Sequence, residues 1–357
     1  MPDVYWPHQR HPGGSNSASH GRGAVTPVAR PGARVLVVGS LSPEATPLLD
    51  GILSSAGIAL SSGRTNPSDV HEVSVAIIAG DVPAATEALS DLPGLVAVVG
   101  LPETALIAQR IGNSRGIGVR IVPSADSASV AEHALLMLLM LAHSTDEARS
   151  LLANPGGPER NPSKLTTQKI HAFNWVHLQN FGPLFGSQVG LIGYGSIASA
   201  LAGSLNALGA RVSYTKRHRL SPKEELEQRV HYLPLPQLLQ VSDYVSIHAR
   251  FDESNDKLLG ARELRLMKPG AGLVNTARGR LLDESALADA LLTGHLRGAA
   301  LDVFRREPLP RSSRLRFCPS VILTPHVAGV PAAVARLAEL RCAGHVAVQL
   351  ITAEEGL

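Results

Sequence analysis

Short apolar runs recur along the chain from Ala33 onward, and each is followed by a more polar stretch with helical spacing. In the first half these runs are ARVLVVG, VSVAIIAG, GLVAVVG and IGVRIVPS; in the second they are QVGLIGYG, ARVSYTK, DYVSIHA, AGLVNTARG, GAALDVF and VILTPHVAG. Continuous apolar runs are typical of strands covered on both faces, as in parallel sheets with helices on either side. The pattern predicts an α/β protein with two doubly wound parallel sheets.

Breaks in this pattern predict the domain boundaries. Residues 1–32 are rich in Gly, Ser, Pro and His without an apolar period, which predicts a disordered leader and not a secretory signal. We expect one domain from residues 33–127 and 327–357, the second segment returning as a helix. A second domain, residues 128–326, is inserted in the first. The Pro- and Gly-containing stretch 154–167 is expected to be an exposed excursion.

A long helix is predicted at the start of the inserted domain. Ser129 and Glu132 in SVAEH fit a capping box that opens a helix through Ala142. Its apolar stretch ALLMLLMLA is too short to cross a bilayer, which takes about 20 residues. We therefore expect a buried helix and no membrane partner.

Composition narrows the classes of function. The chain has 357 residues, 44% hydrophobic and 18% charged, with a net charge of +3 spread along its length. This distribution argues against nucleic acid as the main partner. Cys318 and Cys342 cannot form a disulfide framework, and no CxxC or His cluster predicts a metal site. A cytoplasmic protein is expected.

A glycine-rich turn follows the first strand of the second set. GLIGYGSIASALAGSL contains G-x-G-x-x-A, with Gly193, Gly195 and Ala198 at the defining positions. The first glycine allows a tight turn, the second lets a pyrophosphate approach, and the small third residue lets helix and strand touch. An ordinary strand-to-helix turn is the alternative. The position between a strand and a helix, at the start of a six-strand set, favours dinucleotide binding.

Lysine and arginine stand where NAD-selective proteins place an acidic residue. That acid lies about 20 residues beyond the first glycine and binds the adenosine ribose. Here the corresponding position is Lys216, followed by Arg217. Because a cation attracts a 2′-phosphate and a carboxylate repels it, NADP is the preferred cofactor and NAD is possible. The alternative is a solvated loop in which only Arg217 or Arg219 makes a contact.

Further side chains with useful chemistry follow the strands, at the edge where ligands bind to open parallel sheets. Arg278 can clamp a carboxylate and polarise a carbonyl. His326 can donate a proton to a developing alkoxide, and Glu307 can orient its ring. A structural arginine and a structural histidine are the alternatives. Arg278, His326 and Glu307 together suit hydride transfer between a nicotinamide and a 2-oxo acid. His248 and Asp302 follow neighbouring strands at the same edge and are expected among the cofactor contacts.

The quoted segments resemble a known family. VGLIGYGSIA, LMKPGAGLVNTARGRLLDESALADAL, GAALDVFRREPLP and VILTPHVAG are similar to those of the D-isomer-specific 2-hydroxyacid dehydrogenases. The resemblance implies a Rossmann cofactor domain inserted in a flavodoxin-like substrate domain, and a homodimer formed through the SVAEH helix. It implies that Arg278 binds the substrate, that His326 is the acid/base and that Glu307 is its partner.

The same resemblance assigns cofactor contacts. Ser196 and Ile197 are placed at the pyrophosphate, and Thr276, Ala277 and Asp302 near the nicotinamide. The first domain departs from the family pattern, because GLPETALIA replaces a glycine-rich loop whose N–H groups bind the substrate carboxylate, and Pro102 has no N–H. Two alternatives to a D-2-hydroxyacid dehydrogenase stay open on this ground: a non-catalytic, corepressor-like dinucleotide sensor, and a reductase for an unusual acid such as a phosphonate.

Overall fold

The structure is a computed structural model that describes residues 32–62, 71–80, 89, 92–153, 163, 165–171, 173–179, 181–318 and 320–353. Residues 1–31 of the predicted leader lie outside the described residues, as does most of the predicted excursion at 154–167. The chain divides into two compact units. One contains the residues up to Ala125 together with Pro331–Leu357, and the other is Asp126–Val330.

In the described part of the first unit, five parallel strands form a sheet in the order β2-β1-β3-β4-β5. The strands are β1 (Arg34–Val38), β2 (Ala59–Ser62), β3 (Val73–Ile78), β4 (Ala97–Gly100) and β5 (Gly118–Ile121). Helices α1 (Ala45–Ser54) and α2 (Ala105–Arg115) belong to the same unit. The order 2-1-3-4-5 is that of flavodoxin-like folds, as predicted.

The second unit opens with α3 (Ala125–Ala142), whose first residue is counted in the first unit, and α4 (Thr145–Ala153). Its described residues form a parallel sheet of seven strands in the order β12-β11-β10-β9-β6-β7-β8. The strands are β6 (Gln188–Ile192), β7 (Arg211–Thr215), β8 (Val230–Tyr232), β9 (Tyr244–Ile247), β10 (Ala271–Asn275), β11 (Leu296–Leu301) and β12 (Val321–Leu323). The helices between them are α5 (Ser196–Ala207), α6 (Pro222–Gln228), α7 (Leu235–Val241), α8 (Ala261–Leu266) and α9 (Glu284–Leu292).

Both sheets are covered by apolar side chains on both faces, which explains the continuous apolar runs. In the second unit, α3 and α5 pack on one face and α7, α8 and α9 on the other. In the first unit, the chain returns as α10 (Ala332–Ala353), which packs with α1 through Leu340, Ala343 and Ala347. The prediction of two parallel α/β domains is confirmed.

The capping box predicted at Ser129 and Glu132 is wrong. Helix α3 begins four residues earlier, at Ala125, and the Ser129 hydroxyl donates a hydrogen bond to Ala328 O at 2.8 Å instead of capping a helix. The pattern also missed β2 and β8, which are short strands at sheet edges and carry few buried residues.

Helix α3 is longer than its apolar stretch suggested. It has 18 residues and, by length and composition alone, could cross a membrane, which the nine-residue stretch ALLMLLMLA could not. Seven of its side chains are buried, among them Met137, Leu138 and Leu141, which join the core beneath the sheet. Helices in protein cores can have the same length and composition, so these two properties are weak evidence for a membrane span.

Candidate functional site

The glycine-rich turn joins β6 to α5 at the carboxyl edge of the second sheet. Gly193 has φ +88°, and a Cβ there would lie 2.5 Å from both Cα and N of Ala249. Its N–H donates to Thr215 O at 2.9 Å. Only glycine fits this position, because both the backbone conformation and the neighbouring chain exclude a side chain.

Gly195 is a glycine for another reason. Its backbone is extended (φ −124°, ψ −158°), and no described atom lies within 4 Å of the position a Cβ would take. Open space therefore lies directly before the N-terminus of α5, where unpaired N–H groups and the helix dipole favour an anion. Ala198 is fully buried and lets α5 pack closely against the sheet.

The first turn of α5 carries the other two predicted pyrophosphate contacts. Ser196 is exposed, and its hydroxyl lies 3.0 Å from that of Ser127 on α3. Ile197 is half-buried and packs against the core. The first turn thus offers a hydroxyl and backbone N–H groups at the edge of the open space.

The basic stretch after β7 divides into residues with different partners. Arg219 donates two hydrogen bonds to Glu225, at 2.8 and 2.7 Å, and Arg217 forms an ion pair with Asp252. Lys216 is half-buried, and its ammonium makes no hydrogen bond or ion pair with the residues that the structure describes. Within this stretch, Lys216 is the cation left available to a ligand.

A buried carboxylate fixes this stretch to the unit. The hydrogen bonds from Arg219 are the main cause that lowers the pKa of Glu225 to about 2, and the Tyr214 hydroxyl adds a third at 2.7 Å. Burial raises the pKa of Tyr214 to about 12, so that it stays a donor. The Tyr214 oxygen also accepts the Leu220 N–H at 2.9 Å. The loop that carries Lys216 is therefore held from its far end.

His248 follows β9 beside the glycine-rich turn. Its backbone N–H donates to Ile192 O at 2.7 Å, and its Nε2 lies 2.9 Å from the hydroxyl of Ser246. Burial lowers its pKa to about 4, so the ring is neutral near pH 7. His248 follows β9 at the carboxyl edge of the sheet, and its predicted contact with the cofactor stays a prediction.

The segment after β10 is built around Asn275. This fully buried side chain donates to Arg278 O at 3.1 Å and accepts the Ala277 N–H at 3.0 Å, which closes a tight turn. The turn exposes the Arg278 guanidinium, whose Nη1 donates to Ala277 O at 2.6 Å. The Thr276 hydroxyl is buried and is the one buried side-chain polar atom without a hydrogen-bond partner among the described residues. An unpaired buried hydroxyl is costly, and a bound ligand would satisfy it.

A close backbone approach joins this segment to the loop after β11. A Cβ at Gly279 would lie 1.9 Å from the carbonyl carbon of Phe304 and 2.2 Å from its oxygen. Because these two segments of the backbone are in contact at Gly279, the neighbouring Arg278 lies beside the loop of residues 304–307. Glu307 is anchored in that loop by the Phe304 N–H, which donates to its Oε1 at 2.9 Å.

His326 and Glu307 are in direct contact. His326 Nδ1 lies 2.7 Å from Glu307 Oε2, and both side chains are partly exposed, at 49% and 38%. Partial burial opposes ionisation of Glu307, but the hydrogen bonds from His326 and Phe304 outweigh it and hold its pKa below the usual value. A carboxylate at Nδ1 fixes the ring so that Nε2 is the atom free to exchange a proton. None of the described residues forms a hydrogen bond with His326 Nε2.

Asp302 supports the loop that carries His326. Its carboxylate is 1% exposed, and it accepts hydrogen bonds from the Thr324 hydroxyl at 2.5 Å and from the N–H groups of Val327 and Ala328 at 2.9 Å. Its oxygens are thus engaged by the loop that carries His326. Its predicted place near the nicotinamide stays a prediction.

Several residues of the site were missed from the sequence. Asp126, Ser129 and His133 on α3 all contact the loop of residues 324–330. Their spacing of three and four residues on an apolar helix was the available signal. Asp252 was also missed, since 35 residues separate it from Arg217. Among the described residues, no group of three or more His, Cys, Asp or Glu side chains is placed to hold a metal.

The fold and these contacts define a class of protein. A parallel sheet with a glycine-rich turn before a helix, an exposed arginine and a histidine–carboxylate pair at one edge are the parts of a nicotinamide-dependent oxidoreductase. The model of the D-isomer specific 2-hydroxyacid dehydrogenase NAD-binding domain matches residues 162–328.

Individual relatives agree. The chain is 32% identical over 250 residues to a Haemophilus influenzae protein described as a 2-hydroxyacid dehydrogenase, covering 68% of this chain and 73% of that one. It is 35% identical over 214 residues to a glyoxylate reductase of Thermococcus gammatolerans, covering 60% of each. A solved phosphoglycerate dehydrogenase from Lactobacillus plantarum matches with a TM-score of 0.65 at 20% identity, over 87% of this chain and 93% of that chain, which supports the fold. The chain belongs to the D-isomer-specific 2-hydroxyacid dehydrogenase family.

Proposed function

We propose that the protein is an NADP-preferring reductase that converts a small 2-oxo acid to a D-2-hydroxy acid. The observation that carries the proposal is the 2.7 Å contact between His326 Nδ1 and Glu307, which leaves Nε2 available as a proton donor. The loop that carries Glu307 lies against the segment of Arg278 through the close approach of Gly279 to Phe304. This arrangement suits addition of a hydride to a carbonyl, since the oxygen must be protonated as the negative charge develops.

The residues at the carboxyl edge fit a nicotinamide dinucleotide. The space in front of Gly195 would take the pyrophosphate, with Gly193, Ser196 and Ile197 shaping the turn. The unpaired hydroxyl of Thr276, with the neighbouring Ala277, would lie toward the nicotinamide. When bound, the nicotinamide supplies the hydride that adds to C2 of the substrate.

The preference for NADP is proposed from Lys216. Its ammonium makes no hydrogen bond or ion pair with the described residues, whereas Arg217 beside it is paired with Asp252. A 2′-phosphate would gain roughly 1 to 4 kcal/mol from a cation about 4 Å away, between water-like and surface dielectrics. Arg217 would add to this only if it exchanged Asp252 for the phosphate.

The chain's own residues would perform the proton chemistry. Arg278 would hold the substrate carboxylate and draw charge toward the carbonyl oxygen. His326 would donate the proton from Nε2 to that oxygen. Glu307 would hold the ring in place and stabilise its positive charge before the transfer, because its own pKa lies low enough for it to stay ionised.

The first unit offers fewer donors to a carboxylate than the family pattern would. Pro102 has no N–H, the Leu101 N–H donates to the Thr104 hydroxyl at 2.9 Å, and Glu103 is ion-paired with Arg336. We propose that residues 33–127 and 327–357 form the substrate domain, and that carboxylate recognition rests mainly on Arg278.

A homodimer and a cytoplasmic location complete the proposal; the exposed Leu136 on α3 supports a contact with a second copy.

A substrate panel tests this function. Oxidation of NADPH and of NADH is measured in parallel with glyoxylate, hydroxypyruvate, pyruvate, branched and aromatic 2-oxo acids, and phosphonopyruvate. We expect turnover with at least one acid and a higher kcat/KM with NADPH. Tight binding of the cofactor without turnover of any acid would instead indicate a dinucleotide sensor.

A further inference from the structure

The loop that carries His326 is held in an unfavourable backbone conformation. His326 has φ +56°, in the left-handed region that side chains other than glycine rarely adopt. Such a conformation persists only where the surroundings determine it from several sides. The contacts that do so therefore control where the histidine ring lies.

Asp302 supplies most of these contacts. Its carboxylate accepts from Thr324 on one side of His326, and from the N–H groups of Val327 and Ala328 on the other. Its backbone oxygen accepts the His326 N–H at 2.9 Å. One buried residue thus bonds the backbone or side chain of four of the five residues from 324 to 328.

Helix α3 reaches the same loop through a single face. His133 Nε2 lies 3.1 Å from the Thr324 hydroxyl and 3.7 Å from Asp302 Oδ1, and it is 15% exposed. Ser129 donates to Ala328 O at 2.8 Å, and Asp126 Oδ1 accepts the Val330 N–H at 3.4 Å. Positions 126, 129 and 133 fall on one side of a helix, so these polar side chains of α3 face the loop together.

The Thr324 hydroxyl lies at the centre of this arrangement. It lies 2.5 Å from Asp302 Oδ1 and donates a hydrogen bond to that oxygen. The hydroxyl oxygen can then accept a hydrogen bond from His133 Nε2–H. His133 thereby fixes the hydroxyl in the orientation that bonds Asp302. A buried carboxylate needs each of its donors, because an unsatisfied buried charge is costly.

We propose that His133 and Thr324 are positioning residues for the acid/base His326. They act through Asp302, which fixes the left-handed backbone at residue 326 and so holds the imidazole against Glu307. The inference rests on the proposed function of His326 as proton donor. Under this inference, residues of α3 that do not contact the substrate affect the rate of the reaction.

The test compares Thr324→Val, which removes the hydroxyl but keeps the shape, with Thr324→Ser, which restores it. His133→Leu and His133→Gln provide a second pair, since glutamine keeps an N–H donor. Thr293→Val is the matched control: Thr293 is exposed on the same unit, and its hydroxyl bonds only the helix carbonyls of Asp289 and Ala290 among the described residues. Each variant is measured for thermal unfolding, NADPH affinity and kcat.

We expect Thr324→Val and His133→Leu to lower kcat about tenfold to a hundredfold, as loss of a hydrogen bond to a charged group implies, with NADPH affinity changed less than threefold. Thr324→Ser and His133→Gln should recover most of the rate, and Thr293→Val should match the wild type. In a His326→Ala background, Thr324→Val should cause little further loss, because both changes remove the same function.

The outcomes separate the two ideas. Unchanged kcat in Thr324→Val and His133→Leu, or an equal fold loss with and without His326, would overturn the positioning role. Full turnover by His326→Ala alone would instead overturn the proposed function. If Thr324→Val does not fold, the His133 pair decides the question by the same criteria.

Discussion

Gly193 and Gly195 lie two residues apart in one turn, yet replacement by alanine should affect stability at Gly193 and cofactor binding at Gly195. At Gly193 the new Cβ would lie 2.5 Å from the backbone of Ala249, at a positive φ. Strained backbone costs about 1–2 kcal/mol and overpacking about 1–3 kcal/mol, so Gly193→Ala should destabilise the unit by roughly 2–5 kcal/mol. For a domain of this size that lowers Tm by on the order of 10 °C.

At Gly195 the backbone is extended and no described atom lies within 4 Å of the new Cβ. Gly195→Ala should therefore change the free energy of unfolding by less than about 0.5 kcal/mol. Its methyl group would occupy the space in front of α5, so NADPH binding should weaken at least about tenfold, as loss of charge-assisted hydrogen bonds implies.

Thermal unfolding followed by circular dichroism without cofactor, together with fluorescence titration of NADPH, measures both effects. Each glycine serves as the control for the other. The reasoning is refuted if Gly195→Ala unfolds as early as Gly193→Ala, or if Gly195→Ala binds NADPH as tightly as the wild type.

Three further predictions concern charged groups. Lys216→Asp combined with Arg217→Ala should lower the ratio of kcat/KM with NADPH to kcat/KM with NADH by about tenfold or more, since a cation is replaced by an anion near a 2′-phosphate. An unchanged ratio in parallel assays would show that neither residue contributes to cofactor preference. Glu307→Gln should lower kcat about tenfold to a hundredfold with little change in NADPH affinity, and an unaltered kcat would remove the carboxylate from the proton chemistry. Glu225 has its pKa lowered from 4.5 to about 2, so its contribution to stability is complete above about pH 4.5 and is lost as the pH falls toward 2. Glu225→Gln should therefore be less stable than the wild type at neutral pH and converge with it in acid, as denaturant unfolding at several pH values would show.

Much of the architecture could be predicted because parallel strands are buried on both faces. Every apolar run that was interpreted as a strand coincides with one, and the residues that follow β6, β7, β9, β10, β11 and β12 lie at one edge of the second sheet. The strands β2 and β8 escaped notice because edge strands are short and partly exposed, so their sequence lacks a continuous apolar run.

Pairings between distant residues could not be predicted. Nothing near Arg217 in the sequence indicates Asp252, and nothing near His326 indicates His133, because the loops and the helix meet only through the folded sheet. The donors that Asp302 accepts from the loop of His326 could not be predicted either, because they too depend on the folded loop. Residue type and strand position indicate chemistry, but they do not show which partner a side chain takes.

The central claim is that His326 donates the proton in reduction of a 2-oxo acid. The most direct measurement is the steady-state rate of NADPH oxidation by the wild type and by His326→Ala, with the best acid of the panel, at matched NADPH saturation. The account predicts a loss of roughly 10²- to 10⁴-fold in kcat with NADPH affinity retained. Full turnover by His326→Ala across the panel would contradict it.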